Sequence, residues 1–519
     1  MTPTCYCSDM DVQDLDRTVC YQAVLSRDSR FDGRFFVAVL TTGVYCRVSC
    51  RSRTPRAENV RFFRTGAEAR VAGFRACRRC HPELLDPGAG AEHVVTSGAM
   101  GRMTRHSDMP DRHGVETLAR HLGWSARHLQ RLLGTEAGLT PHRLIRYLRL
   151  HRAVTRLAQP GASLTRIALD AGFPSLRAFE IQVRETFGVS PGTLRGRARA
   201  DARALFWGPP LHLALPFRGP FDVAQLMSFL ALRAVPGLEE GDASGGRFRR
   251  ALRLDQGLGF MSAARPEPRH PQHLPVTLQL QSAADLPAAV AAIRSLFDLD
   301  ADPEAVSRVL LADPELGPLV RAVPGLRVPG HVDGVEMAVR AILGQQISVE
   351  AARTQTARLV RLYGERLPAA IGTVDTLFPT AAVLNQAGPE LPGMAMPASR
   401  RRTIHGLAEA IAAGMLPDLR RGADPGAAGA ALESLYGIGP WTRAYVAMRA
   451  LGDPDAFLAG DLGVRQGYQA LTGRALGARE LEQVSSAWRP FRAYAVVYLW
   501  HALASAPTSC ALPTKKAVR

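Results

Sequence analysis

The stretch LYGIGPWTRAYVAMRALGDPDAFLAGDLGV, residues 435–464, decides the fold of the longest part of this chain. Helix-forming residues run up to Gly437-Ile438-Gly439 and resume beyond it, the pattern of a helix-hairpin-helix. Gly437 and Gly439 leave room for backbone amides to come close to a phosphate, so the hairpin reads as a grip on a nucleic-acid backbone. Asp461 follows 22 residues after Gly439. A lone acid in a loop ordinarily caps a helix. The hairpin upstream gives this one a second reading, as a carboxylate placed beside reacting DNA.

Hairpin and acid together match the base-excision glycosylase superfamily. Residues 211–505 resemble its AlkA-type 3-methyladenine DNA glycosylases. LPFRGPFD (215–222), LFDLDADP (296–303), PGLRVPGHVDGVEMAVRAILGQQISV (324–349) and WRPFRAYAVVYLWH (488–501) carry the likeness in the family's order. The resemblance implies an N-glycosylase in which Asp461 stabilises the oxocarbenium-like sugar formed as the base leaves. It also implies that an alkylated purine, such as 3-methyladenine or 7-methylguanine, is extruded from the duplex onto the aromatic faces of Trp441, Tyr445 and Trp500. Core packing is the competing role for these rings, for Tyr445 above all. Gln345 and Gln346 stand where the family fills the gap left by the flipped base, with Gln346 in place of its leucine. His501 stands where the family has a tyrosine. Both departures bear on the range of bases accepted. Relatives that also cut the strand use a lysine close after the hairpin glycines to form a Schiff base. Trp441 holds that place here and no lysine precedes Lys515, so a monofunctional enzyme is expected. Relatives with an iron–sulfur cluster need four cysteines near the C-terminus. This part of the chain has only Cys510, so no Fe–S cluster is expected.

The remainder has a different character. A length of 519 residues is too great for one domain. Residues 1–200 hold 31 arginines against 18 acids, a net of +13 out of the chain's +17. Such an excess points to a polyanion, most simply nucleic acid. Arginine outnumbers lysine 62 to 2, a mark of GC-rich coding that explains which cation is used but not the excess of cations. No apolar run reaches the ~18 residues needed to cross a bilayer. Met1–Cys20 lacks a basic start followed by an apolar stretch. A cytoplasmic, nucleoid-associated protein with no membrane partner is expected, its eight cysteines being thiols or metal ligands.

Four of those cysteines fall in two tight pairs. Cys46 and Cys50 form C-x3-C, and Cys77 and Cys80 form C-x2-C after a 26-residue gap. Two chelate pairs joined by a loop suit one tetrahedral Zn²⁺ with four thiolates. Spacing alone leaves open a closed structural knuckle or a reactive centre. TTGVYCRVSCRSRTPRAENVRFF (41–63) and AGFRACRRCHP (72–82) resemble the Ada-type methylation-response domain over residues 17–84. The resemblance implies that Cys46 accepts a methyl group from a DNA methyl phosphotriester. It implies also that Thr42, Arg51, Arg53 and Arg75 hold the DNA backbone. Cys5, Cys7 and Cys20 lie upstream of the motif, in what reads as a frayed terminus.

Between these two parts, VETLARHLGWSARHLQRLLGTEAGLTPHRLI (115–145) reads helix, turn at Gly123, helix with Ser125 as N-cap. SLTRIALDAGFPSLRAFEIQVRETFGVSPGTLR (163–195) repeats it, with a turn at Gly172 and Ser175 at the next helix start. The pair resembles AraC-type tandem helix-turn-helix domains. Recognition helices are expected at 125–135 and 175–185, with Arg127, Arg131 and Arg177 reaching bases in successive major grooves.

The expected fold is multidomain α+β. A small four-cysteine zinc α/β domain (1–86) and a linker (87–110) precede an all-α tandem helix-turn-helix domain (111–195) and a second linker (196–204). A β-rich antiparallel subdomain (205–285), signalled by the alternation of VTLQLQ at 276–281, leads into an all-α helix-hairpin-helix domain (286–512) and a tail (513–519). The combined reading is an adaptive-response protein that senses methylation damage, activates transcription and excises alkylated bases. Its partners are double-stranded DNA, as methylated backbone, promoter operator and damaged bases, and RNA polymerase. A regulator whose glycosylase-like part only binds DNA is the alternative, as is a glycosylase with a purely structural zinc-and-helix arm. Asp461 argues against the first, and the cluster of Thr42, Arg51, Arg53 and Arg75 around Cys46 against the second. No P-C-H-R phrase of an O6-methylguanine methyltransferase occurs.

Overall fold

The computed structural model describes residues 16–85, 99–105, 114–157, 159, 161–421 and 423–505. Cys5, Cys7, Cys510, both lysines, the tail, and residues 87–98 and 106–110 of the first expected linker lie outside the described residues. The chain divides into two compact units, each assembled from separated stretches. Among the described residues, one takes 16–85, 302–324 and 452–505, and the other 99–301 and 325–451.

The first unit opens with the cysteine-bearing segment. Asp16 caps the Arg17–Ser26 helix by accepting from the Thr18 and Val19 amides. Strands β1 (Phe36–Val39), β2 (Val44–Cys46), β3 (Val60–Phe63) and β4 (Arg75–Ala76) form a sheet in the order β3-β1-β2-β4, with β4 parallel to β2. Phe36, Ala38, Tyr45, Phe63 and Ala69 make its small core. The rest of this unit is helical: Pro303–Leu310, Gly317–Ala322, Leu462–Thr472, Ala478–Ser485 and Arg492–Ser505. Ala493 through Leu499 are all buried, so the first half of the last helix runs through the interior. Gly467 sits against it, where a Cβ would come within 2.0 Å of the Leu499 carbonyl oxygen.

In the second unit the expected helical repeats are present. Ser125 caps Ala126–Ala137 and Ser175 caps Leu176–Phe187, each after a glycine in the left-handed region, Gly123 at φ 75° and Gly172 at φ 89°. The Pro141–Leu157 helix joins the two repeats. A five-stranded antiparallel sheet follows, built from β5 (Leu211–Pro216), β6 (Glu239–Gly241), β7 (Arg247–Arg253), β8 (Leu258–Ala264) and β9 (His273–Leu280) in the order β5-β9-β8-β7-β6. Strand β9 shows the alternating burial that VTLQLQ predicts. Helices Gly334–Gly344, Val349–Tyr363, Ala398–Ala412, Pro425–Glu433 and Pro440–Arg449 are among those that pack in the same unit.

Three sequence expectations are revised. Cys20, read as part of a frayed terminus, is buried in the Arg17–Ser26 helix. Residues 365–377 lie in the stretch read as wholly helical, yet they form a β-hairpin of β10 (Glu365–Ile371) and β11 (Val374–Leu377). Pro368 and two alanines blur its alternation. The two expected linkers are in part packed structure. Ala99–Arg105 is a helix whose Met100 and Met103 are buried. Residues 196–200 finish the Pro191–Ala200 helix and Ala202–Leu205 form a 3-10 turn. The arginines of RGRARADARA conceal Leu194 and Ala198, four apart and both buried.

Candidate functional site

The four cysteines converge. One sulfur from each of Cys46, Cys50, Cys77 and Cys80 lies within 4.8 Å of the others, and none is in a disulfide. Cys46 ends β2, and the loop to Cys50 is held by Asp32, which accepts from the Ser49 amide at 2.8 Å and from its hydroxyl. As thiols the four crowd one another. Shared protons with Cys50 and Cys80, together with burial, push the Cys46 thiol above the ordinary range. A divalent cation at their centre reverses this by holding the sulfurs as thiolates, so the donor set fits zinc. Thr42, Arg51, Arg53 and Arg75 are all exposed. Parallel pairing of β4 with β2 puts Arg75 opposite Val44, two residues before Cys46.

In the same unit Asp461 does cap a helix, Leu462–Thr472, since its Oδ1 accepts from the Val464 amide at 2.9 Å. The same oxygen accepts the indole Nε1–H of Trp500 at 3.0 Å. Gly463 makes room for the ring, because a Cβ there would stand 3.3 Å from the nearest Trp500 atom. Asp461 and Trp500 are both half-buried. Sequence reasoning assigned Trp500 to the base pocket and missed its role as a donor to the acid. No spacing rule connects residues 39 apart, so the signal was absent.

In the other unit Gly437 adopts φ 78°, and a Cβ there would collide with Thr403 Oγ1 at 2.1 Å. Glycine is required on both counts. Gln345 caps the end of Gly334–Gly344 and donates its amide to the Gly437 carbonyl (3.0 Å) and Thr442 Oγ1 (2.9 Å), while Arg400 reaches the Gln345 carbonyl at 2.6 Å. Gln345 therefore braces the hairpin, which the sequence did not reveal. Gln346 projects from the exposed loop with φ 58°. Trp441 and Tyr445 stack one turn apart, centroids 5.1 Å and planes 13° from parallel, and Tyr445 accepts from Arg449 at 2.7 Å. Both rings are half-buried. Gly439 is the N-cap of Pro440–Arg449. Arg127 and Arg177 are exposed on the first turns of the two predicted recognition helices, and Arg131 is exposed one turn further along the first.

Three family models match the chain in turn: a metal binding domain of Ada at residues 19–83, a helix-turn-helix domain at 118–197 and an AlkA N-terminal domain at 212–333. A probable bifunctional transcriptional activator/DNA repair enzyme AlkA of Mycobacterium tuberculosis is 43% identical over 487 residues, 93% of this chain and 96% of that protein. DNA-3-methyladenine glycosylase 2 of Escherichia coli is 34% identical over 55% of this chain and 96% of its own length. The bifunctional transcriptional activator/DNA repair enzyme Ada of the same organism is 36% identical over 34% of this chain and 48% of its own length.

Proposed function

The chain belongs to the family of bifunctional transcriptional activators and DNA repair enzymes of AlkA type, and from that premise we propose how its residues divide the work of methyl sensing, activation and base excision. Cys46 is the methyl acceptor. Its thiolate attacks the methyl carbon of a phosphotriester, the C–O bond breaks, and the ordinary phosphodiester anion departs. Zinc supplies the chemistry of keeping that sulfur deprotonated. With zinc bound, the four thiolates of Cys46, Cys50, Cys77 and Cys80 would carry a net charge near −2, and methylation of Cys46 would leave about −1, relieving repulsion from phosphates and raising DNA affinity. Thr42, Arg51, Arg53 and Arg75 seat the backbone, Arg127, Arg131 and Arg177 read the operator, and RNA polymerase is the downstream partner.

Excision falls to Asp461. The observation that carries this role is the fixing of its Oδ1 by both the Trp500 indole and the Val464 amide, an arrangement that sets a carboxylate to face developing positive charge on a sugar. Trp441, Tyr445 and Trp500 offer aromatic faces to cationic alkylated purines. Gln346 meets the gap in the duplex from the loop that Gln345 fastens to the hairpin, and the amides at Gly437 and Gly439 hold phosphate. Absence of a lysine before Lys515 supports excision without strand cleavage.

Base release from methylated DNA tests the reading. Asp461→Asn is expected to slow excision by roughly 10² or more, with an intact strand and retained binding to an abasic-site analogue. Equal excision by wild type and Asp461→Asn would remove the assignment. Peptide mapping after exposure to methyl phosphotriesters should place a single methyl on Cys46 and on none of the other three cysteines.

A further inference from the structure

The turn at Asp28–Arg34 lies between the helix and the cysteine motif of the Ada-like segment, and two of its charged side chains are buried. Asp28 is 1% exposed and Arg30 7%. Arg30 donates from Nε to both Asp28 carboxylate oxygens, at 2.9 and 3.0 Å. Its Nη1 donates to the Tyr494 hydroxyl, 464 residues away, and its guanidinium lies 5.2 Å from the centroid of that ring. Phe31 meets Phe491 edge-on at 6.3 Å. Arg34 pairs with Asp453 at 2.5 Å. Tyr494 and Phe491, each 1% exposed, belong to the segment around the Arg492–Ser505 helix that also carries Trp500. Asp453 opens the loop that runs to Asp461, and the Pro454 carbonyl accepts from the Ala493 amide at 3.0 Å. The cysteine-bearing segment is thus joined to the Asp461-bearing segment through a dry aromatic contact and a desolvated charge network. Contacts of this kind mark permanent interfaces.

The other end of the turn is tied to the cysteines. Asp32 accepts from Ser49 and faces Arg47 Nε at 3.7 Å, and both partners lie in the loop between Cys46 and Cys50. Structural zinc sites convert metal binding into folding free energy. The order of the Cys46–Cys50 loop therefore bears on Asp32, the turn, and Arg30 and Phe31 in succession.

We infer that the Asp28–Arg34 turn buckles the methyl sensor onto the catalytic lobe, so that an intact four-thiolate centre is needed to keep the Gly452–Asp461 loop and the Trp500 helix in order. The inference rests on the zinc and glycosylase readings above and adds a dependence of the repair activity on the sensor. In separate domains on a flexible tether, the metal state of one would not reach the other.

Hydrogen exchange of the full chain, zinc-loaded and chelator-stripped, reads the coupling without relying on activity. Stripping should raise exchange in residues 452–461 and 492–505 as well as in 46–80, and slow base release several-fold. Arg34→Ala, a partly exposed change, should raise exchange in 452–461 with zinc still bound, and Arg30→Met should raise it further and abolish its response to stripping. A rise confined to residues 17–85 on zinc removal, with base release unchanged, would overturn the buckle while leaving the glycosylase assignment standing. Absence of base release by the loaded wild type would instead fall on that assignment. The exchange pattern would still decide the buckle.

Discussion

At Asp461 one carboxylate oxygen serves two donors, the Val464 amide of the helix it caps and the Trp500 indole. A side chain pinned twice has few rotamers left, which is what charge stabilisation without reorganisation requires. Trp500→Phe keeps an aromatic ring and deletes the N–H. A hydrogen bond to a charged group contributes about 1.5–3 kcal/mol, so base release should slow by roughly 10- to 100-fold, chiefly in kcat. Single-turnover release with unaltered binding to abasic-site DNA would bear this out, and an unchanged rate would return Trp500 to a purely stacking role. The four cysteines were legible in the sequence because a shared metal enforces short, fixed spacing, and Asp461 stood out only through the hairpin 22 residues before it. The Trp500 donor, the Gln345 brace and the Arg30–Tyr494 contact were not, since each joins residues tens to hundreds of positions apart.

Among elements, the Gly334–Gly344 helix is fastened to the sheet by charge. Glu239 of β6 and Glu336 of the helix are bridged by Arg250 of β7 at 2.8 and 2.9 Å, and Arg340 reaches both acids at 3.1 and 3.0 Å. His331 Nε2 stands 3.3 Å from Glu336. Burial alone would raise the Glu336 carboxyl, but Arg250, His331 and Arg340 outweigh it and hold the group well below the usual carboxylate range. A depressed acid stabilises the fold above its unfolded pKa, and that contribution is lost as pH falls through the folded value. Urea midpoints should therefore hold near neutrality and drop steeply below about pH 4.5, the ordinary glutamate value. Glu336→Gln should flatten that acid limb while lowering stability at pH 7 by about 3–5 kcal/mol, because Arg250 and Arg340 lose a buried partner. An acid limb of equal slope in both proteins would place the pH sensitivity elsewhere. Helix caps and glycine turns of the repeats were readable one by one, since a serine cap and a left-handed glycine are local requirements. This network was not, because its members come from two strands, a helix and the loop before it, which only the fold assembles.

Over the second unit, the first helix-turn-helix repeat and the β-rich sheet have one interior. Leu129 and Leu133 of the repeat, with Leu144 and Leu148 of the Pro141–Leu157 helix that follows it, share an apolar cluster with Leu211, Leu213 and Leu215 of β5. Strand β5 is the sheet's edge, and the repeat covers it. Arg143 donates to the His212 carbonyl at 3.0 Å, and a Cβ on Gly138 would fall 1.8 Å from the Ala214 carbonyl oxygen, two residues along the same side of the strand. His151 Nε2 lies 2.9 Å from the Leu280 carbonyl, buried at the end of β9. Composition suggested a regulator linked to an enzyme by a polar bridge, because charge and apolar spacing are read segment by segment and neither reports which faces meet. With a shared interior, the first helix-turn-helix repeat cannot loosen without the sheet. Leu213→Ala in β5 should cost about 2–5 kcal/mol, and the loss should appear equally in the amides of the Ala126–Ala137 helix and of β9 when native-state hydrogen exchange is followed residue by residue. A drop in protection limited to the sheet, with helix Ala126–Ala137 unaffected, would mean that the two parts open independently and that regulator and enzyme are joined only by the chain.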